Sequence, residues 1–212
     1  MPTQATQSAV LTAAQFHAMF APSVGVPTPE EQFAHQAGRY LALNLGVQAD
    51  VDRFHDILPP SGAVLCMFRK FRNEELADLM SKVVVNDKRG ANYLDLSQIE
   101  DEPWVPNGPH MLTDVRDGRY RLNTKPSVSR AAIAAEGRKG NAAVHLVHWG
   151  LYYGQDILTH HYLDGVASRY KSGGVPFLCL FGGKPKLNAD WVDNASSEWG
   201  APCGGGVVVP RT

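Results

Sequence analysis

Apolar positions recur with a helical period through the first third of the chain. Behind Thr28-Pro29-Glu30-Glu31, residues Phe33, Ala37, Tyr40, Leu41 and Leu45 fall on one stripe. Thr28 is placed to cap, Pro29 to occupy the first helical position, and Glu31 to reach back and close a capping box. The two acids also meet the positive end of the helix dipole, and Gly46 supplies the stop. A second capping-box pattern, Thr12-Ala13-Ala14-Gln15, predicts a short helix that ends before Pro22. A third short helix is expected over residues 50–57, closed by Pro59-Pro60.

The texture then changes. Residues 63–68, Ala-Val-Leu-Cys-Met-Phe, form a continuous apolar run of strand length, which suggests burial on both faces. Asn73 can cap a helix through Met80, and Val83-Val84-Val85 reads either as a short strand or as the last turn of that helix. From 86 to 109 the chain is polar, with Tyr93-Leu94-Asp95-Leu96 hinting at an edge strand and three prolines marking a loop. Residues 111–122 read as a β-hairpin around Asp117-Gly118. Ser127 or Ser129 can cap a helix through Ala135. Asn141 can cap the next, with a stripe of Val144, Val147, His148 and Leu151. The final strand is expected at 175–181. Helices outnumber strands, and no regular βα alternation joins the strands. The pattern supports an α+β fold, with a helical N-terminal third packed on a small mixed or antiparallel sheet. Residues 1–212 read as a single α+β domain, with 1–60 as its helical N-terminal part and 61–212 as its sheet-containing part.

Composition narrows this only slightly. A length of 212 residues suits one sizeable core, and 44% hydrophobic with 19% charged residues is ordinary for a globular chain. The formal net charge of −1 gives no global field for nucleic acid or an anionic membrane. No apolar run reaches the ~18–20 residues of a membrane-spanning helix. The polar start Met1-Pro2-Thr3-Gln4 does not read as a secretory signal, so the glycosylation pattern Asn194-Ala195-Ser196 carries no weight. Three scattered cysteines, Cys66, Cys179 and Cys203, make no disulfide framework, and a cytoplasmic, reducing compartment is expected.

From about Pro109 onward the chain resembles a domain-of-unknown-function family common in actinobacteria. Three stretches carry the resemblance. They are Pro109-His110-Met111-Leu112-Thr113-Asp114-Val115-Arg116-Asp117-Gly118 with Leu122-Asn123, then Ala135-Glu136-Gly137-Arg138, and finally Val175-Pro176 through Gly183-Lys184-Pro185-Lys186-Leu187 to Asn194 and Trp199-Gly200. The resemblance implies a bacterial cytosolic protein and brings no activity, cofactor or catalytic residue with it. The chain departs from the family's pattern at Asn188-Ala189-Asp190, just ahead of Trp191.

Candidate chemistry concentrates near the C-terminus. Asp190, Asp193 and Glu198 lie close in sequence, flanked by Trp191 and Trp199. Carboxylates beside aromatic rings can have raised pKa values and serve as general acid or base, and tryptophans make floors for flat or sugar ligands. The plain alternative is that the rings cover the core while the acids face water. His145 and His148, three apart on a helix, with His160-His161 beyond, lack the convergent set a metal needs, and no metal site is assigned. The plain reading makes His148 a half-buried packing residue. Cys66 and Cys179 read as core, while Cys203 reads as accessible but without an activator. Gly182-Gly183-Lys184 reads as a strand-exit turn rather than an anion cradle.

These features point first to a small-molecule site at the C-terminal loop. In it Asp190, Glu198 and His148 are the acid–base candidates, and Trp191, Asp193 and Trp199 are the ligand contacts. No cofactor is identified. The competing class is a non-catalytic interaction module that uses the same loop as a homo-oligomer interface.

Overall fold

A computed structural model of the chain describes Gln15 and residues 27–211. The helix expected behind Thr12 lies outside that range apart from Gln15. The first fully described helix, α1 (Pro29–Ala42), starts as its sequence requires. The Glu31 amide donates to Thr28 Oγ1 at 3.2 Å, and the Thr28 amide donates to Glu31 Oε2 at 2.8 Å. A short helix α2 (Gln48–Asp52) follows, then strand β1 (Val64–Met67), buried at every position. Helix α3 (Leu76–Lys82) leads into the hairpin of β2 (Val84–Val85) and β3 (Lys88–Arg89). Val84 and Val85 therefore supply a strand rather than a last helical turn, with Val83 as the C-cap of the helix. The chain turns through Asn86 and Asp87, both at positive φ, as a tight two-residue hairpin needs.

Next come β4 (Ala91–Asn92), β5 (Ile99–Asp101) and β6 (His110–Thr113). The strand hinted at 93–96 does not form; Leu96–Gln98 is a 3₁₀ turn capped by Asp95. The hairpin expected around Asp117-Gly118 does not form either. Both edges of β6 are already occupied, by β1 and by β14 (Gly206–Val208). Asp117 meanwhile accepts the Arg119 amide and guanidinium, at 3.1 and 2.6 Å, and winds Arg119–Arg121 into a 3₁₀ turn. Helix α4 (Pro126–Ala135) begins at Pro126 rather than behind Ser127 or Ser129, because proline is pre-set for the first helical position.

After β7 (Lys139–Gly140), helix α5 (Ala143–Leu158) runs through the centre of the molecule. All of its 16 residues except Gln155 and Asp156 are buried, so it is not the one-sided helix its stripe suggested. A helix apolar all round must be covered all round, and α5 packs on α1, α3 and both main sheets. It is not capped by Asn141; instead the Ala142 amide donates to His145 Nδ1 at 2.9 Å. The helix kinks at Tyr153, with φ −134° and ψ 16°. The α1 side chains His35 and Arg39 meet the Tyr152 and Leu151 carbonyls there, at 2.9 and 3.2 Å.

The remaining strands are β8 (Tyr162–Asp164), β9 (Ser168–Tyr170), β10 (Gly174–Phe181), β11 (Lys184–Trp191), β12 (Trp199–Gly200) and β13 (Cys203–Gly204). The larger sheet runs β12-β8-β10-β11-β4, with β9 beside the start of β10 and β5 beside β9. It is mixed: β12/β8 and β11/β4 are parallel, the other pairs antiparallel. The smaller sheet, β1-β6-β14, is antiparallel. The architecture is therefore α+β, with α1 packed on β1 and on the central helix. Among the described residues no helix is long and apolar enough to cross a membrane.

Candidate functional site

The segment expected to be a loop after residue 181 is a strand. Gly182 and Gly183, at φ 62° and 71°, form the two-residue turn of a long hairpin. Both central residues at positive φ give the twist that antiparallel strands need, which glycine adopts without strain. From that turn the register runs without a slip from Phe181↔Lys184 to Gly174↔Trp191. Pairs beside such a turn alternate between hydrogen-bonded and non-hydrogen-bonded. Pro185 opposite Leu180 and Pro176 opposite Ala189 both fall on non-hydrogen-bonded pairs, so neither proline costs the hairpin a ladder bond.

The far end of the hairpin makes the site. Gly174 is paired with Trp191 on one side and with Tyr170 of β9 on the other. Directly opposed residues share a face of a sheet, so two rings stand on either side of a glycine. The glycine has ordinary extended backbone, φ −75° and ψ 167°. Its role is space: a Cβ there would lie 3.2 Å from the Asp190 carbonyl and 3.6 Å from the Tyr170 side chain. Tyr170, Lys171, Gly174 and Trp191, with Tyr93 and Leu94 across the sheet edge, line a cavity of about 180 Å³. Trp191 is 61% exposed, an unusual position for a tryptophan. The Lys171 ammonium stands at the rim, 5.8 Å from the Tyr170 ring centre and 3.7 Å from Asp95.

The carboxylate and tryptophan cluster does not assemble as one unit. Successive strand residues point to opposite faces, so Trp191 joins Tyr170 while the Asp190 side chain turns to the other face. There Asp190 Oδ1 accepts the Trp191 amide at 2.7 Å and Asn194 Nδ2 at 3.0 Å, and Asp190 borders the cavity from the strand that carries Trp191. Asp193 is exposed and accepts from Ser127 Oγ at 2.7 Å. Glu198 is exposed too, and its backbone carbonyl accepts the Tyr162 amide. Trp199 stacks on Phe177, ring centres 4.6 Å apart, on the sheet face away from Tyr170. His148 is not half-buried but wholly buried in α5, beside the Phe71 and Tyr152 rings, and is not part of the cavity lining.

Two buried groups away from the C-terminal carboxylates carry unusual electrostatics. Asp164 is 1% exposed, and its Oδ1 has no hydrogen-bond partner among the described residues. Burial, reinforced by the Asp190 charge, pushes its carboxyl up to about 7. Nothing in Leu163-Asp164-Gly165 signals this; it follows from what covers β8. The second group is a buried histidine trio. His145 Nδ1 accepts the Ala142 amide, so the ring's proton sits on Nε2 and donates to His110 Nε2 at 2.9 Å. His110 Nδ1 then donates to the Gly108 carbonyl at 2.8 Å. His148 Nδ1 donates to the Val144 carbonyl at 2.8 Å, leaving a buried Nε2 without a partner among the described residues. Burial lowers the pKa of all three, that of His148 to about 4, so the trio is neutral. Among the described residues no group of three or more His, Cys, Asp or Glu side chains is arranged to hold a metal ion.

Cys203 is fully buried rather than accessible. Its strand pairs with β7, and its Sγ lies 2.8 Å from the Tyr120 hydroxyl and 3.1 Å from Arg138 Nε. Burial and the thiol contact push the Tyr120 hydroxyl up to about 12. Cys66 and Cys179 are core residues, and burial pushes the Cys179 thiol up to about 11.

Comparison with protein-family models, with curated proteins and with solved structures gives no match.

Proposed function

We propose that the protein binds a small ring compound, a flat heterocycle or a sugar, in the cavity between Tyr170 and Trp191. The observation that carries this reading is the Tyr170–Gly174–Trp191 row: two rings on one sheet face with only a glycine between them. Aromatic faces pack against flat rings and against the C–H faces of sugars. A volume of about 180 Å³ suits a single ring rather than a drug-sized ligand. Lys171 at the rim supplies a donor for a ring substituent. The protein acts in a bacterial cytosol on this reading, where its three unpaired, buried cysteines stay reduced. The actinobacterial family resemblance is compatible with this and adds no chemistry.

The test is a ligand-detected magnetic resonance screen of monosaccharides and single-ring heterocycles, repeated on Gly174→Ala and Trp191→Ala. The alanine methyl needs no change of backbone conformation at 174 yet occupies the floor. A hit that weakens at least about tenfold in both variants, with thermal stability retained, supports the reading; tenfold is about 1.4 kcal/mol, the scale of one stacked ring contact. If no ring compound binds, and Trp191→Ala instead changes the sedimentation coefficient, the exposed tryptophan is an interface between copies of the chain and the ligand reading fails.

A further inference from the structure

A second cavity, of about 290 Å³, lies between α4 and the segments around Trp104 and Val166. Its floor is apolar, formed by Ile133, Val166 and Ala167, and Trp104 makes one wall. Three cations line it, Arg130, Arg138 and Lys139, against one carboxylate, Glu102. Arg138 is already neutralised by Asp114, at 2.5 Å. Glu102 is shared with Arg169, at 3.5 Å. Arg130 is different. Its hydrogen bonds go to the carbonyls of Val166 and Ser168, at 2.6 and 3.2 Å. Carbonyls orient a guanidinium without cancelling its charge. Burial and the neighbouring Arg169 charge both press on Arg130, and Glu102 compensates only in part. Lys139 has no carboxylate within ion-pair distance among the described residues, and its ammonium lies 5.9 Å from the Trp104 ring centre. Two half-buried positive charges thus face one concave, half-apolar space whose one lining carboxylate, Glu102, is shared with Arg169, so the space carries an excess of positive charge that an anion would balance.

We infer that this cavity is a second binding site, for a small organic anion with a phosphate or carboxylate group and an apolar ring. The anionic group would lie between Arg130 and Lys139, and the ring over Ile133 and Val166 against Trp104. The guanidinium, already held by two carbonyls, is pre-organised, so ordering it on binding costs little. The site is independent of the Tyr170–Trp191 cavity, and the measurement separates the two.

Isothermal titration with phenyl phosphate, inorganic phosphate, benzoate and phenol tests it, with amide chemical shifts locating the probe. Phenyl phosphate is expected to bind most tightly, to shift residues 102–104, 130–140 and 166–167, and to weaken as salt is added. Lys139→Gln should weaken it about tenfold or more, the scale of one charge-assisted hydrogen bond. Trp104→Leu should erase its advantage over inorganic phosphate. Glu102→Gln should tighten binding, an outcome that loss of structure would not produce. Gly174→Ala should leave all of this unchanged. The inference is overturned if phenyl phosphate fails to saturate at millimolar concentration. It is equally overturned if Lys139→Gln and Glu102→Gln both leave the affinity as it was, or if the shifts map elsewhere.

Discussion

A carboxyl group shut away from water, one oxygen of which meets no donor among the described residues, keeps its proton. Asp164 is in that position, and its pKa of about 7 against a reference of 3.8 has a definite sign. Between those values the folded protein holds a proton that the unfolded chain has released, so this group's contribution to stability falls as pH rises from 3.8 to about 7 and is constant above. Asp164→Asn removes the cost of ionisation. It is expected to be more stable than the parent protein at about pH 8, by an amount on the order of a few kcal/mol and with a correspondingly higher melting temperature, and to approach it near pH 4. A lower melting temperature at the higher pH would mean that the carboxylate is compensated in the folded protein. The sequence around Asp164 gives no hint of this, since burial of a strand residue's outer face depends on segments far along the chain.

At the scale of elements, the least visible device is the edge of β1. One side of that strand pairs with β6, and the other meets α1. Gln32 Oε1 accepts the Val64 amide at 2.9 Å, and Gln36 Oε1 accepts the Cys66 amide at 2.8 Å. Gln36 Nε2 also donates to the Val64 carbonyl and to the Tyr153 hydroxyl, each at 2.8 Å. Residues four apart on a helix rise about 6 Å, close to the two-residue repeat of a strand. Two glutamines one turn apart therefore serve the strand edge as a partner strand would. Gln36→Leu is expected to cost about 2–4 kcal/mol in denaturant unfolding, since it orphans a buried amide and a buried carbonyl together. A cost below about 1 kcal/mol would mean that the edge is satisfied in another way.

The hairpin of β10 and β11 shows how much was legible in principle. Lys184-Pro185-Lys186-Leu187-Asn188-Ala189-Asp190-Trp191 alternates polar and apolar without a break, the signature of a half-buried strand. A Gly-Gly pair between two strand-like runs is a hairpin signal. Taken together they set the register, and with it the pairing of Gly174 with Trp191. Pro185, with the lysines, asparagine and aspartate around it, makes the segment look like a loop. What those residues report is an outward face, not a missing strand. The neighbours of Tyr170 could not be read this way, because β9 joins β10 only through the turn at Lys171–Gly173.

For the whole molecule, acid is the informative stress. His110, His145 and His148 are neutral inside the core, and His35 and His161 are lowered by burial as well. A histidine whose folded pKa lies below 6.5 costs stability as pH falls, because the unfolded chain takes up the proton first. For His148 that window runs from 6.5 down to about 4. Asp164 acts in the opposite direction over nearly the same range. The parent protein is expected to lose stability between about pH 6.5 and 4.5, with the histidines outweighing the single carboxyl. Asp164→Asn should make that loss steeper. His148→Leu should make it shallower while leaving stability near neutral pH almost unchanged, since the Val144 carbonyl that it abandons still faces its own helix. Melting curves over that range decide the matter, and equal slopes in the three proteins would refute the assignment.

The sequence by itself determined the parts whose causes are local. The cap and stripe of α1, the buried run of β1, the strand at 175–181 and the mixture of helix and sheet all follow from residues within one or two turns of each other. The tertiary structure alone decided which side chains share a space. Trp191 shares a cavity with Tyr170 rather than with Glu198, Arg130 shares another with Lys139, and Asp164 and His148 lie beyond the reach of water. Those outcomes depend on sheet register and on the packing of distant segments, where a shift of one residue turns every side chain to the opposite face.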